Sequence, residues 1–187
     1  MKTLVFFLEE PSAEEMLKGV IPRILPDGIL SEYKVFEGKQ DMEKRMPKIL
    51  RAWRKPDCLF IVMRDQDSGD CDKVKSKLME LCREAGREGV LVRVACRELE
   101  CFYLGDLAAV EKGLGLSGLA VKQQGRKFRD PDHMLGNPSE ELIKLTENTY
   151  QKIAGSRAIG PYLSLTQNRS TSFKNLLSGV RKLMAES

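Results

Sequence analysis

An α/β fold built on a four-stranded, mainly parallel sheet is what this sequence predicts. Three observations carry the prediction. Apolar runs of strand length alternate with amphipathic segments of helix length in the order β-α-β-α-β-α-β. The runs "TLVFFL" (3–8) and "CLFIVM" (58–63) are apolar throughout, as strands buried on both faces are. The segments between strands are long enough for crossover helices, which return the chain for parallel pairing through right-handed connections. Beyond the fourth strand the pattern is helical.

The first strand, "TLVFFL", is rich in β-formers and is closed by Glu9-Glu10-Pro11. In the next helix Ser12 and Glu15 have the spacing of a capping box, and Ala13, Met16, Leu17 and Val20 give the apolar face. Pro22, Pro26 and Gly28 mark a loop. "EYKVFEG" (32–38) alternates as a short second strand. Residues 40–53 are helical by period, with Met42, Met46, Ile49, Leu50 and Trp53 on one side, and Pro47 is expected to break or kink them. "CLFIVM" is the third strand. Residues 70–86 form an amphipathic helix with Cys71, Val74, Leu78, Leu81, Cys82 and Ala85 inward. "VLVRVAC" (90–96) is the fourth strand. Residues 114–136, Gly-rich and then charged, make a long connection. Asn137-Pro138 with Glu140 starts a helix that places Leu142, Leu145 and Ile153 on one face. A last helix carries Phe173, Leu176, Leu177, Val180, Leu183 and Met184. The expected organisation is one domain: an α/β core over 1–113, the connection 114–136 and a helical C-terminal part over 137–187.

A chain of 187 residues, 42% hydrophobic and 31% charged, holds one good core and is short for two. Its apolar runs fall far below the roughly 20 residues of a membrane span. The start "MKTLVFFLEE" is a poor signal peptide, because acids follow at once and no small-residue cleavage site is present. The five cysteines (58, 71, 82, 96, 101) include no CxxC pair, and the single His133 completes no zinc site by spacing. They read as buried, reduced thiols of a cytoplasmic protein. A net charge of +4 permits contact with nucleic acid without demanding it.

The acids are where this topology gives them a purpose. In an open parallel sheet, ligands bind beyond the carboxyl ends of the strands. Strand one ends in Glu9 and Glu10, strand three in Asp65, Asp67 and Asp70, and strand four in "CRELE", with Glu98 and Glu100. If these strands are neighbours, the acids share a crevice in which their repulsion is costly. A hard divalent cation removes that cost. Oxygen-only ligands favour Mg²⁺ or Mn²⁺, with Ca²⁺ in the same class. An EF-hand is excluded: with Asp65 as position 1, position 6 is Asp70 instead of glycine and position 12 is Ser76 instead of glutamate. Helix capping is the competing reading. It suits Asp70, which opens the 70–86 helix, but a cap needs one acid and leaves the set unexplained.

A strand-terminal Glu followed by a strand-terminal Asp-x-Asp on a βα scaffold resembles TOPRIM domains, the catalytic module of topoisomerases, bacterial primases and OLD-type nucleases. Longer blocks extend the likeness. "FFLEEPSAEEML" (6–17) resembles the Glu-Gly-x-Thr/Ser-Glu start of TOPRIM-like proteins. Together with "MRDQDSGDCDKVKSKL" (63–78), "RVACRELECFYLGD" (93–106), "YQKIAGSRAIGPYL" and "NRSTSF", it resembles the TOPRIM-like family called domain of unknown function 4276, over nearly the whole chain. The resemblance implies a TOPRIM-like, Rossmann-type sheet flanked by helices. Glu9 matches the TOPRIM glutamate, and Asp65 and Asp67 match the Asp-x-Asp. Two positions depart: Glu10 stands where the pattern has glycine, and Ala13 where an acid is expected. Glu98 and Glu100 belong to the family blocks rather than to TOPRIM domains at large.

The resemblance also implies Mg²⁺- or Mn²⁺-dependent phosphoryl transfer on nucleic acid. The metal set is then Glu9, Asp65, Asp67 and Asp70, and the catalytic set Glu9, Asp65, Asp67, Glu98 and Glu100, with Glu9 a ligand or a general base. Tyr33, Tyr103, Tyr150 and Tyr162 all lie in patterned segments, so no topoisomerase-like tyrosine stands out. The family likeness points to a nuclease, a defence effector working with an AAA or ABC-type ATPase. The chain has no Walker loop, so the ATPase would be a separate subunit. The alternative is a non-catalytic module that binds nucleic acid or a partner, a reading that Glu10 favours. For phosphate contacts, Arg126, Lys127 and Arg129 cluster around Phe128, and Lys152, Arg157, Arg169 and Lys174 lie in the family-like blocks. Lys73, Lys75 and Lys77 read as the wet face of a helix, and His133 as a loop residue.

Overall fold

The computed structural model describes residues 2–186. Strands β1 (Thr3–Leu8), β2 (Leu30–Val35), β3 (Cys58–Asp65) and β4 (Leu91–Ala95) pair in parallel in the order β2-β1-β3-β4. The two solid apolar runs are the two central strands, in register with Leu8 beside Met63. The carboxyl ends of β1, β3 and β4, where the acids cluster, are therefore consecutive in the sheet.

The three crossover helices are α1 (Pro11–Val20), α2 (Lys39–Ala52) and α3 (Cys71–Glu84). One face of the sheet buries Val5, Phe7, Phe60, Val62 and Val92 against Met42, Met46 and Leu50 of α2 and Leu78 and Cys82 of α3. The other face buries Leu4, Phe6, Leu8, Ile61 and Met63. Its cover is α1 and the C-terminal helices: α4 (Glu100–Leu104), α5 (Leu107–Leu114), α6 (Pro131–Met134), α7 (Pro138–Leu145), α8 (Lys152–Ile159) and α9 (Thr171–Ala185). Phe102, Tyr103, Leu107, Phe173 and Leu176 from these helices join Phe6 and Met63 in one core. The chain after α8 comes so close to α1 that a Cβ on Gly19 would lie 2.5 Å from the Pro161 nitrogen.

Three expectations are corrected. Ser12 does not cap α1: Pro11 occupies the first turn, Glu10 is the N-cap, and the Ser12 Oγ is buried without a partner. Pro47 leaves α2 unbroken, because it removes one backbone donor while Met46 and Leu50 beside it are locked in the core. The helix expected to join Leu142 and Ile153 is two helices. Glu147 and Asn148 turn left-handed (φ 50° and 64°) between them, and Ile153 faces solvent. The long connection 114–136 carries structure of its own. It forms 3₁₀ turns at Ala120–Gln124 and Arg126–Phe128 and the short α6, which carries His133, and it sends Leu119, Phe128 and Leu135 into the core. No helix among the described residues is long and apolar enough to cross a membrane. The five cysteines are unpaired.

Candidate functional site

The pleat of the sheet sorts the site residues. Successive strand side chains point to opposite faces. On β3, Met63 faces α1 and the C-terminal helices while Val62 faces α2 and α3. Arg64 follows Val62, and Asp65 follows Met63. On β1, Glu9 continues the face of Val5 and Phe7, and Glu10 the face of Phe6 and Leu8. The acids therefore form two groups back to back rather than one.

The group on the α2/α3 side is organised by Arg64, which is 6% exposed. Its Nη1 donates to Glu43 Oε1 of α2 at 2.9 Å, its Nε lies 3.7 Å from Glu9 Oε2, and its Nη2 lies 3.8 Å from Asp67 Oδ2. Lys77 Nζ of α3 reaches the other Glu43 oxygen at 2.6 Å. Lys77 thus bridges two helices and is more than the wet face of one. Neither Arg64 nor Glu43 was legible as a site residue. The signal available was a lone arginine directly after the solid apolar run of β3, at the start of "RDQD".

The group on the other side is organised by Asp65. Burial raises its carboxyl well above the usual range, and Glu100, Glu10 and Glu9 raise it further, against a hydrogen bond from the Leu99 backbone. Glu100 is fully buried at the start of α4. Tyr150 Oη donates to its Oε1 at 2.9 Å, and its Oε2 has no partner. Burial raises Glu100 too, offset by Lys152 and the Tyr150 hydrogen bond. Lys152 Nζ pairs with Glu10 at 2.8 Å. Glu9 links the two groups: its Oε2 accepts the Asp65 backbone N–H at 3.1 Å. Its carboxyl is raised by burial, partly offset by that bond and by Arg64.

Glu9 and Asp65 are thus joined directly, and Asp67 is tied to Glu9 through Arg64. Asp65 and Asp67, which the resemblance puts in one metal set, do not share a face. The strand ends at Asp65, and Asp67 turns left-handed (φ 56°), which sends its carboxylate to Lys39 of α2 at 3.0 Å. Asp70 is the N-cap of α3 and accepts the Lys73 N–H at 2.9 Å. Glu98 caps a different helix, accepting the Ser139 N–H of α7 at 2.8 Å. Among the described residues no three His, Cys, Asp or Glu side chains gather closely enough to hold a metal. Lys39, Arg64 and Lys152 oppose the acids instead. The donor set is nonetheless that of a hard cation: carboxylate oxygens from three adjacent strand ends, with the buried Glu100 Oε2 left unpartnered.

The basic residues are dispersed. Arg169 donates to the Gln123 carbonyl at 2.6 Å and so braces the connection. Arg157 pairs with Glu15 of α1, and Lys127 with Glu141 of α7. Arg129 donates to the Gln124 carbonyl at 3.4 Å. Arg126 and Lys174 are exposed. Only Lys152 of this set enters the acidic site.

Among curated proteins none matches this chain. Among solved structures, the C-terminal region of the Burkholderia pseudomallei OLD protein matches with a TM-score of 0.57 at 19% identity. The match covers 96% of this chain and 97% of that one. The fold is TOPRIM-like: a parallel sheet in an α/β arrangement with a helical C-terminal part. A family model matches residues 8–181, and the chain belongs to that family, Domain of unknown function (DUF4276).

Proposed function

We propose that the chain is a divalent-metal-dependent nuclease, with Glu9, Asp65 and Asp67 as its principal acids. The observation that carries this reading is the position of Asp65. It is a buried carboxylate at the end of a central parallel strand, bonded to Glu9 through its backbone and beside the half-partnered Glu100. Burial and three neighbouring acids disfavour its charge, so it gains from a bound cation. Glu9, Asp65 and Glu100 would hold Mg²⁺ or Mn²⁺, and Asp67 would join them when Lys39 yields. A bound divalent ion supplies charge neutralisation at a phosphodiester and an activated water. The chain's own residues do the positioning. Arg64 fixes Glu9 and Glu43, the Leu99 N–H fixes Asp65, and Tyr150 fixes Glu100. Lys152 supplies a cation at the acidic edge, where substrate phosphate would arrive.

An ATPase subunit is proposed as partner. Its support is the family likeness and the match to a C-terminal region, which leaves the rest of an OLD protein outside what this chain covers. The second reading, a non-catalytic binding module, is favoured by Glu10. It fills the position where the TOPRIM pattern has glycine and occupies Lys152.

The test is cleavage of single- and double-stranded DNA and RNA with Mg²⁺, Mn²⁺ or EDTA, for wild type and Asp65→Asn. Cleavage that needs the metal and falls at least about 100-fold in the variant is expected, since a bound ion is worth several kcal/mol to the transition state. A wild type that cleaves none of these substrates sinks the nuclease reading and leaves the binding module.

A further inference from the structure

A cleft of about 480 Å³ opens between the N-terminal ends of α2 and α3, on the sheet face opposite Asp65. Its walls carry Lys39, Gln40, Arg64, Lys73 and Lys77, with Glu43 and Asp70. The nuclease reading uses Arg64, Glu43 and Lys39 of its lining for positioning but gives the cleft itself no ligand. We propose that this cleft is a phosphate subsite, which takes a backbone phosphodiester of the bound nucleic-acid strand next to the one at the acidic edge. The proposal rests on the reading that the chain acts on nucleic acid.

Four cations face two acids in the cleft, and Asp67 at the rim is the third acid. Two of the lysines already hold anionic oxygens there: Lys39 to Asp67 at 3.0 Å and Lys77 to Glu43 at 2.6 Å. Among the described residues Lys73 has no carboxylate partner. Arg64 is buried and fixed by Glu43 and by its bond to the Asp65 carbonyl at 3.1 Å, so one guanidinium stands preorganised at the back of the cleft.

The backbone adds to the side chains. α2 starts at Gly38 (φ 90°) with no side-chain cap, so the first amides of this 14-residue helix are open to an anion, and Lys39 and Gln40 line the cleft. α3 offers no such end, since Asp70 caps it. At the rim a Cβ on Gly69 would come within 3.2 Å of Val74 and of the Gln66 carbonyl, so the turn from Asp67 to the cleft stays closely packed. Asp67 belongs to both places: its carboxylate takes Lys39 and lies 3.8 Å from Arg64. A phosphate that draws Lys39 from Asp67 into the cleft would free Asp67 for the acidic edge. Strand binding and completion of the metal site are thereby coupled.

The test is equilibrium binding of a fluorescent single-stranded 12-mer DNA and its RNA equivalent in EDTA. The proteins are wild type, Lys73→Ala/Lys77→Ala and a control, Lys144→Ala on α7. The double variant should bind about tenfold or more weakly, with a slope against log salt shallower by roughly 1.4 for two lost single-strand phosphate contacts. The control should bind like wild type. Inorganic phosphate should compete only weakly. Equal affinity and salt slope in wild type and double variant overturn the subsite even if the wild type is a nuclease. So does a wild type that binds neither probe. Inorganic phosphate that raises the melting temperature of wild type but not of the double variant, without any strand binding, assigns the cleft to a free phosphate and overturns the strand. Binding that behaves as expected without any cleavage keeps the subsite and sinks only the nuclease.

Discussion

Glu9 Oε2 accepts the backbone N–H of Asp65 at 3.1 Å. One acid of the site thereby fixes the backbone of the other, across the seam between the two central strands. Glu9→Ala should leave that N–H and part of Arg64 unsatisfied and cost about 1–3 kcal/mol, the desolvation cost of a buried polar group. Glu9→Gln keeps the acceptor and should cost clearly less. Chemical denaturation of the two variants checks this, and equal losses would show that the hydrogen bond is not what Glu9 supplies.

Arg64 is the counter-ion of the α2/α3 side. Arg64→Met keeps its volume, leaves Glu9 unopposed and leaves Glu43 with Lys77 alone. Breaking a buried pair costs about 3–5 kcal/mol, and the partial exposure of Glu43 brings the expectation to roughly 2–3 kcal/mol. The loss should shrink at low pH, where the acids accept protons. Denaturant titrations at pH 7 and pH 4 check both parts.

Tyr150 gives Glu100 its hydrogen bond. Tyr150→Phe strands a fully buried carboxyl group and should cost about 1–3 kcal/mol. In Glu100→Leu the donor and the acceptor problem change together, so Tyr150→Phe should cost much less in that background. A double-mutant cycle measures the coupling, and additive losses would rule it out.

The parallel core was legible because strands buried on both faces leave solid apolar runs, and those runs, with the helices between them, fix β1, β3 and the order of elements. The acids at the strand ends were legible for the same reason. What was not legible depends on single backbone angles and on long-range partners. Nothing in "RDQDSGD" tells that Asp67 turns left-handed and meets Lys39, although aspartate tolerates that conformation better than most residues. Ser12 and Glu15 have the right spacing for a cap, yet Pro11 sets the helix start. Arg64 was not legible as a site residue because its partners, Glu9 and Glu43, come from elements 55 and 21 residues away (64 − 9 and 64 − 43).

The segment after α5 is anchored by Glu111, whose Oε2 accepts the N–H groups of Leu119 at 2.6 Å and Ala120 at 2.9 Å. These two bonds, to Ala120 and then Leu119, hold its carboxyl below the ordinary value of 4.5. A carboxyl depressed in the folded state contributes stability that is complete above pH 4.5 and is lost as pH falls through the lower folded value. Glu111→Gln should therefore lower the melting temperature at pH 7, and the gap to wild type should narrow as pH falls below 4.5. A gap that is constant from pH 7 to pH 3 would show that the charge is not involved.

Asp65 and Asp70 are both acids of the same motif, and the structure gives them different work. Asp65 is buried against Glu9, Glu10 and Glu100, while Asp70 is exposed and caps α3. Saturating Mn²⁺ should stabilise the wild type by RT ln(1 + [L]/Kd), about 2.7 kcal/mol at a hundred times the dissociation constant. Asp65→Asn keeps the shape and removes the charge that burial disfavours. Its metal-free stability should hold or rise, and its Mn²⁺ response should vanish. Asp70→Asn keeps a good cap, so both its metal-free stability and its Mn²⁺ response should stay within about 0.5 kcal/mol of wild type. Asp70→Ala should lose about 1 kcal/mol through the cap alone, with the Mn²⁺ response intact. Differential scanning calorimetry of the four proteins with Mn²⁺ and with EDTA separates the roles. A lost response in both Asp70 variants would make Asp70 a ligand, and an intact response in Asp65→Asn would remove Asp65 from the metal site and with it the basis of the nuclease reading.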